Sequence, residues 1–533
     1  MSIVVCDILF TMKFLWLAIL IFIPKQVSAA SEFTSSFESV YTIQESGQTN
    51  VSHTIVLKNN LSHIYATEYT IAISGNNLTN ISASDESGPI TTETSILNGI
   101  NSIHMFISRP SIGLNQLKTI KLNYIADDVV ETIGQSKTVN IPRLQKANES
   151  ESYKRIVKIR GVEEMPAYIY PQASSKDISD GYSTYYFEGH QNDSLTLLFG
   201  ESVTYELDLI YELKNNDLRS IDTEIALPSD TDYQKILLDQ IDPKPKNIRV
   251  DTDGNWLAQF TLDAQSKKIV KTKLYVTIYP IPKLKDPSST NFVSTQKSKY
   301  WQQNTNILDL GSKLKTPENT YKYLVESFSY NYNANTTSNR RLGASMALES
   351  PSNVLCTEYT DSFIALMRTQ NVPTREINGY AYTKNSVLQP QGTTFDILHA
   401  WPEYYNADQN AWISIDPTWG STTGGIDYFN KLDFSHIAFV RRGIEDDYPL
   451  PAGSYKTSVS DKHINIKVAS STPSPDTTTK VIENTLYNQG NVAVYDNTVG
   501  YLPPYGSAKI QNSKHETLYD KIKKICAKLL SIF

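Results

Sequence analysis

Residues 353–368 read N-V-L-C-T-E-Y-T-D-S-F-I-A-L-M-R, 372–382 V-P-T-R-E-I-N-G-Y-A-Y, 399–405 H-A-W-P-E-Y-Y and 412–420 W-I-S-I-D-P-T-W-G. Tyr359, Phe363, Leu366 and Met367 fall at the spacing of a helix with one buried face. Ser352 or Asn353 is placed to cap it, and Pro373 ends it. Cys356 then lies in or beside the first turn, where unpaired N–H groups and the helix dipole favour thiolate over thiol. Residues 374–383, 397–405 and 411–416 read as strands, with a polar turn at 406–410. Period-two alternation puts His399, Trp401, Glu403 and Tyr405 on one face. Pairing Tyr405 with Asn410 would set His399 directly across from Asp416, and a slip of one residue would separate them.

The order Cys356, His399, Asp416 is that of a thiol nucleophile, its base and the group that orients the base. Each residue alone has a plainer reading: a small buried cysteine, a structural strand histidine, a turn aspartate. Glu358, Asp361 and Glu403 read as solvated or structural, and Trp401, Trp412 and Trp419 as core or cleft wall.

Together these motifs resemble the transglutaminase-like superfamily of cysteine enzymes. Residues 321–332 (Y-K-Y-L-V-E-S-F-S-Y-N-Y) and 341–344 (R-L-G-A) resemble that family's leading helix and the loop before its cysteine helix, so the resemblance spans about 299–442. It implies an α+β, papain-like core, with the cysteine helix packed on an antiparallel sheet. It also implies Cys356 as nucleophile, His399 as base and Asp416 as orienter. The family includes protein cross-linking transglutaminases, cysteine peptidases and amidases, so the resemblance fixes a reaction type more firmly than a substrate. A protein or peptide substrate is implied; no cofactor or metal is required, and no calcium loop is visible. Tyr330 and Tyr332 are candidate donors to an oxyanion, beside the backbone N–H of Cys356.

The rest of the 533 residues divides around this core. Residues 1–29 have the charged start, apolar run and small-residue cleavage site of a secretory signal, with an uncleaved anchor as the alternative although the run is short for a span, and either implies an extracytoplasmic protein. Residues 30–150 and 151–285 are rich in strand patterns and read as two β-sandwich domains. Ile55-Val-Leu-Lys-Asn-Asn-Leu61 resembles Tyr211-Glu-Leu-Lys-Asn-Asn-Asp217, either a repeat or chance in an Asn-rich chain. Asp253-Gly254-Asn255 signals a hairpin, and 280–290 reads as a linker.

The catalytic module occupies 291–450, with 420–425 as a flexible loop after the aspartate. A small β module follows at 455–512. Residues 513–533 form a basic amphipathic helix, suited either to an anionic membrane surface or to docking on its own protein. Sequons occur at Asn60, Asn77, Asn80 and Asn148. The net charge of −7 argues against nucleic acid as the main partner, and three cysteines make no disulfide framework. Oligomeric state is not legible.

Overall fold

In the computed structural model the described residues are 32–510, without 76–77, 98, 145–150, 162–164, 190–192, 287, 289–297, 334–340, 384, 392–397 and 457–461. Residues 1–29, read as a signal, and 513–533, read as an amphipathic helix, lie outside them.

Alternating burial along Phe33–Ile43 and Thr49–Asn59 gives each strand one core face. They pair antiparallel in an eight-stranded sheet. The free edge of Phe33–Ile43 is taken by Ser152–Arg160 in parallel, with Phe37 opposite Tyr153 and Tyr41 opposite Val157. A three-stranded sheet (Glu68–Ser74, Ile100–Phe106, Thr92–Leu97) and a four-stranded one ending at Leu195–Phe199 complete the unit around a single core. The boundary expected at 150 is therefore displaced. Tyr153, Val157 and Ile159 bury with Phe37 and Tyr41, so the first core runs to about Phe199. Pairing also covers a strand edge that would otherwise be bare.

The second sandwich opposes two sheets. One runs Gln234–Asp242, Lys267–Ile278, Val203–Lys214, Ile464–Val468; the other runs Ile221–Leu227, Trp256–Leu262, Asn247–Val250. Val250 pairs with Trp256 around the expected Asp253-Gly254-Asn255 turn. Ile464–Val468 departs from the expected 455–512 module, because it completes this sheet from the far end of the chain. What remains beyond it is a three-stranded sheet (Thr479–Ile482, Thr485–Asn488, Ser507–Lys509) and a hairpin (Val494–Asp496, Gly500–Leu502).

The two Asn-Asn turns occupy corresponding places. Asn59 and Asn215 are both buried at a strand end. Asn59 Nδ2 donates to the carbonyls of Ile64 and Ser111, and Asn215 Nδ2 to those of Arg219 and Asp263. Each asparagine's backbone N–H also donates to the residue just before the next paired strand, Gln116 or Ser266.

The α+β module has helices α1 (Thr305–Leu314), α2 (Pro317–Ser327), α3 (Ala344–Glu349), α4 (Cys356–Arg368) and α5 (Pro417–Thr422). Its antiparallel sheet runs Ala411–Ser414, His399–Asn406, Thr374–Ala381, His436–Arg442. α4 lies on this sheet, with Tyr359, Phe363, Leu366 and Met367 fully buried as the helical period requires.

The second sandwich is fastened to the module through 229–234. Asp232 Oδ2 accepts from Trp412 N–H (2.7 Å), Tyr233 Oη from Ser414 N–H (3.2 Å), and Gln234 bonds both backbone groups of Ala438. The expected linker is held at Asp286, which is buried between Arg375 and Arg441. The glycine loop after the aspartate serves the first domain rather than the cleft. Gly424 and Gly425 have positive φ, and a Cβ on either would meet Ser74 or Arg143. Among the described residues no helix is long and apolar enough to cross a membrane.

Candidate active site

Cys356 is the first residue of α4, where its own N–H has no acceptor within the helix. Neither Ser352 nor Asn353 caps it. The N-cap is Leu355, whose N–H donates to Glu358 Oε2 at 2.9 Å. Glu358 Oε1 takes the Leu342 N–H at 2.9 Å, so this carboxylate fastens the preceding loop to the helix start. The structural reading of Glu358 is met, by burial rather than by solvation. Asp361 is likewise buried, accepting from Trp301 Nε1 (2.8 Å) and ion-paired with Arg341. Burial, against that arginine, raises its carboxyl to about 7.

His399 begins its strand and is 1% exposed. The ladder to the next strand pairs Tyr405 with Trp412 and ends at Glu403–Ser414. This is two residues from the expected register, so Asp416 is not directly across from His399. A shift of two keeps each side chain on its face. Asp416 leaves the ladder, donates its N–H to the Tyr428 carbonyl (3.0 Å) and caps α5 by accepting from Trp419 N–H at 3.0 Å. From there its Oδ2 meets His399 Nε2 at 2.9 Å. Nε2 is taken by Asp416, Nδ1 has no hydrogen-bond partner among the described residues, and Cys356 lies close enough to raise the proton affinity of the ring. The three expected residues are thus brought together in a buried site.

A fourth group was not foreseen. His436 opens the edge strand His436–Arg442, with Nε2 3.2 Å from Asp416 Oδ2 and Nδ1 2.7 Å from Asp433 Oδ1. The spacing Asp433-x-x-His436 before an alternating apolar run is the signal that could have found it. Gly379 makes the convergence of strands feasible. It pairs with His399 on one side and Ala438 on the other, and a Cβ there would strike the Ile437 carbonyl and Trp401. Trp419 stacks on His399 (5.2 Å between centroids) and meets His436 edge-on (4.6 Å). Trp401 likewise stacks on His399 (5.8 Å) and meets His436 edge-on (4.9 Å), as a wall rather than a reactant.

Burial opposes charge on His399, yet Asp416, with Cys356 acting in the same sense, pushes its pKa up to about 10. Burial likewise opposes charge on Asp416, and the two imidazoles overcome it, holding its carboxyl well below the usual range. His399, Asp416 and His436 place three donor atoms within 4.8 Å, close enough for a metal ion. The His399–Asp416 and His436–Asp433 contacts, at 2.9 and 2.7 Å, have the lengths of charge-assisted hydrogen bonds, the His436–Asp416 contact is longer at 3.2 Å, and Asp433 occupies the other nitrogen of His436.

Of the two tyrosines, Tyr332 Oη donates to the Val387 carbonyl at 2.9 Å. Tyr330 lies beside Cys356, its hydroxyl 3.4 Å from the Gln391 carbonyl. Burial first, then Cys356, raises its pKa.

Residues 306–417 match the family model of the transglutaminase-like superfamily. The chain carries a transglutaminase-like core. The match begins in α1 and closes one residue after Asp416, so it spans Cys356, His399 and Asp416 and stops short of His436. No curated protein matches the chain. Among solved structures it is similar to a candidate cysteine protease from Cytophaga hutchinsonii, at 13% identity and TM-score 0.32 over 52% of this chain and 94% of that one. A candidate protease from Parabacteroides distasonis aligns at 10% identity and TM-score 0.25, over 76% of this chain and 73% of that one. An M1 zinc metallopeptidase from Deinococcus radiodurans aligns at 10% identity and TM-score 0.23, over 37% of this chain and 45% of that one. These likenesses are distant, and none bears on the reaction.

Proposed function

We propose that the chain is a thiol-dependent acyl-transfer enzyme that hydrolyses amide bonds, of peptide or glutamine type, through a thioester on Cys356. The observation that carries this reading is the Cys356 thiol at a helix start, beside an imidazole whose far nitrogen is held by Asp416 at 2.9 Å. Asp416 fixes the ring so that Nδ1 faces the thiol, and Cys356 and His399 form a thiolate–imidazolium pair. The thiolate sulfur adds to the carbonyl carbon, and the N–H of Cys356 receives the oxyanion. The C–N bond breaks as His399 passes its Nδ1 proton to the leaving nitrogen. Water then gives a proton to Nδ1 and its oxygen attacks the thioester; the C–S bond breaks, releasing the carboxylic acid and the thiolate.

Transfer to an amine, which would make this a cross-linking transglutaminase, is favoured by one feature. Cys356 is only 5% exposed and its base is walled by Trp401 and Trp419, which limits water. A non-catalytic surface scaffold is the remaining reading. The secretory signal suits an extracytoplasmic location, and the basic C-terminal segment a peripheral membrane contact.

The deciding experiment is the rate of Cys356 alkylation against pH, in the parent and in His399→Ala. A free thiol has a pKa of about 8.5, and paired catalytic cysteines fall to roughly 3.5–7.5. Fast labelling that persists into acid and is lost in His399→Ala is expected. Labelling like an ordinary thiol, indifferent to His399, would point to a scaffold. Release of amine without incorporation, against covalent incorporation of a labelled primary amine, then separates hydrolysis from cross-linking.

A further inference from the structure

His436 is bonded more completely than His399. Its two ring nitrogens face carboxylate oxygens, Asp416 Oδ2 at 3.2 Å and Asp433 Oδ1 at 2.7 Å. A neutral imidazole has one N–H, so one of its nitrogens would set a lone pair against a carboxylate in a buried site. Two donors are required, and the ring is an imidazolium. Asp433 is held in turn, accepting from Ser435 N–H at 2.8 Å. The buried ammonium of Lys431, which has no hydrogen-bond partner among the described residues, acts on Asp433 electrostatically. With Cys356 as thiolate, the charges alternate along one buried chain: Asp433 negative, His436 positive, Asp416 negative, His399 positive, Cys356 negative.

We propose that His436 is a positioning residue of this site: a fixed cation that keeps Asp416 ionised and opposes protonation of His399, so that His399 can surrender its proton to a leaving amine. The inference rests on the acyl-transfer reading of Cys356 and His399. Asp416, Asp433, His399 and Tyr428 are the titratable groups facing His436, with Trp401 and Trp419 closing the wall. His399 is faced by Asp416, Cys356 and His436. The ring centroids of the two histidines are 5.8 Å apart. At an effective dielectric of about 20, a unit charge at that distance moves a proton affinity by about two pH units. One carboxylate oxygen shared by two cations therefore grips His399 less tightly than it would grip a single one.

The test is an 15N-resolved ring titration of both histidines in the full chain, in the parent, His436→Gln and Asp433→Asn. In the parent, the His436 ring should carry two N–H groups through neutral pH. His436→Gln, which can still donate to Asp416 but has no charge, should raise the His399 midpoint by about two pH units. Asp433→Asn should lower the pH at which His436 loses its second proton. A parent His436 ring with one N–H at neutral pH overturns the proposal, as does an unmoved His399 midpoint in a folded His436→Gln. Should His436→Gln not fold, an unmoved His436 midpoint in Asp433→Asn overturns it equally. A merely structural role would not move either midpoint. Ordinary thiol behaviour of Cys356 in the parent would instead remove the acyl-transfer reading, and the ring titrations report independently of it.

Discussion

The strands that bring the two histidines together carry a second buried charge network a few residues along, and the two use burial in opposite ways. Arg375, Glu403 and Arg441 sit on the strands Thr374–Ala381, His399–Asn406 and His436–Arg442. Arg375 pairs with Glu403 and, at 2.6 Å, with Asp286; Arg441 reaches the same Asp286 at 2.5 Å and Ser229 Oγ at 2.8 Å. Every cation there is a guanidinium, whose charge is fixed at any ordinary pH and whose fork suits carboxylates. At the site the cations are imidazoles, and one nitrogen, His399 Nδ1, is left for the thiol. The clamp joins the sheet of the α+β module to the second sandwich and has nothing to exchange. The site is built from groups that can gain and lose protons.

The largest effects should separate the two regions. Cys356→Ala should reduce amide turnover by a factor on the order of 10⁴–10⁶ while changing stability by about 1 kcal/mol or less. Arg441→Met should do the reverse, costing about 3 kcal/mol in denaturant unfolding. Its turnover per folded molecule should stay within about threefold of the parent, since Asp286 keeps Arg375 as a partner. If Arg441→Met were as inactive as Cys356→Ala while fully stable, the clamp would have to be counted as part of the chemistry.

A pH series sharpens the comparison by a few kcal/mol. His399 is raised from 6.5 to about 10 on folding, so its contribution is fully present below about 6.5 and is lost as pH rises through about 10. Asp286 is lowered from 3.8 to about 2: burial opposes its charge, and Arg441 and Arg375 outweigh it. Its contribution is present above about 3.8 and is lost as pH falls through about 2. Between about pH 6.5 and 10 the alkaline limb therefore draws on the two imidazoles of the site, and above pH 10 buried tyrosines such as Tyr41 and Tyr211 add to it; the clamp contributes to the acid limb together with Asp416 and Asp433. His399→Ala should flatten the alkaline limb and Asp286→Asn should soften the acid one, read as unfolding free energy against pH. An alkaline limb that survives His399→Ala unchanged would mean the imidazole is not paired as described.

The same contrast explains what could be read in the sequence. The helix of Cys356, its strands and the three candidate residues Cys356, His399 and Asp416 are local signals: a helical period, an alternation, a proline stop. The two-residue difference in register was invisible because Asp416 meets His399 after leaving the ladder, as a helix cap, and an even shift preserves faces. Glu358, rather than Ser352 or Asn353, secures the helix start because its partners, Leu342 and Leu355, come from two segments. The parallel pairing of Phe33–Ile43 with Ser152–Arg160 is equally non-local, and it moved the first domain boundary by some fifty residues. His436 escaped notice because its partners lie three and twenty positions away, one on each ring nitrogen. Short-range pattern places Cys356 and His399, while the charged groups around them are brought in by topology.

The smallest test asks which side of the contrast the two tyrosines beside the site belong to. Tyr330 and Tyr332 pack edge to face at 5.1 Å, and sequence alone offers both as oxyanion donors. Their hydroxyls are engaged differently. That of Tyr332 donates to the Val387 carbonyl at 2.9 Å and is spent, like the donors of the clamp. That of Tyr330 is 3.4 Å from the Gln391 carbonyl, at the edge of hydrogen-bond length, with Cys356 acting on it electrostatically. Tyr332→Phe should cost about 1 kcal/mol of stability and change turnover by less than about twofold. Tyr330→Phe should lower kcat by about tenfold to a hundredfold with KM unchanged, because a donor that strengthens only as the oxyanion forms acts on the transition state alone. Equal, small effects from both would leave the N–H of Cys356 as the oxyanion donor, and would assign both phenols to the wall.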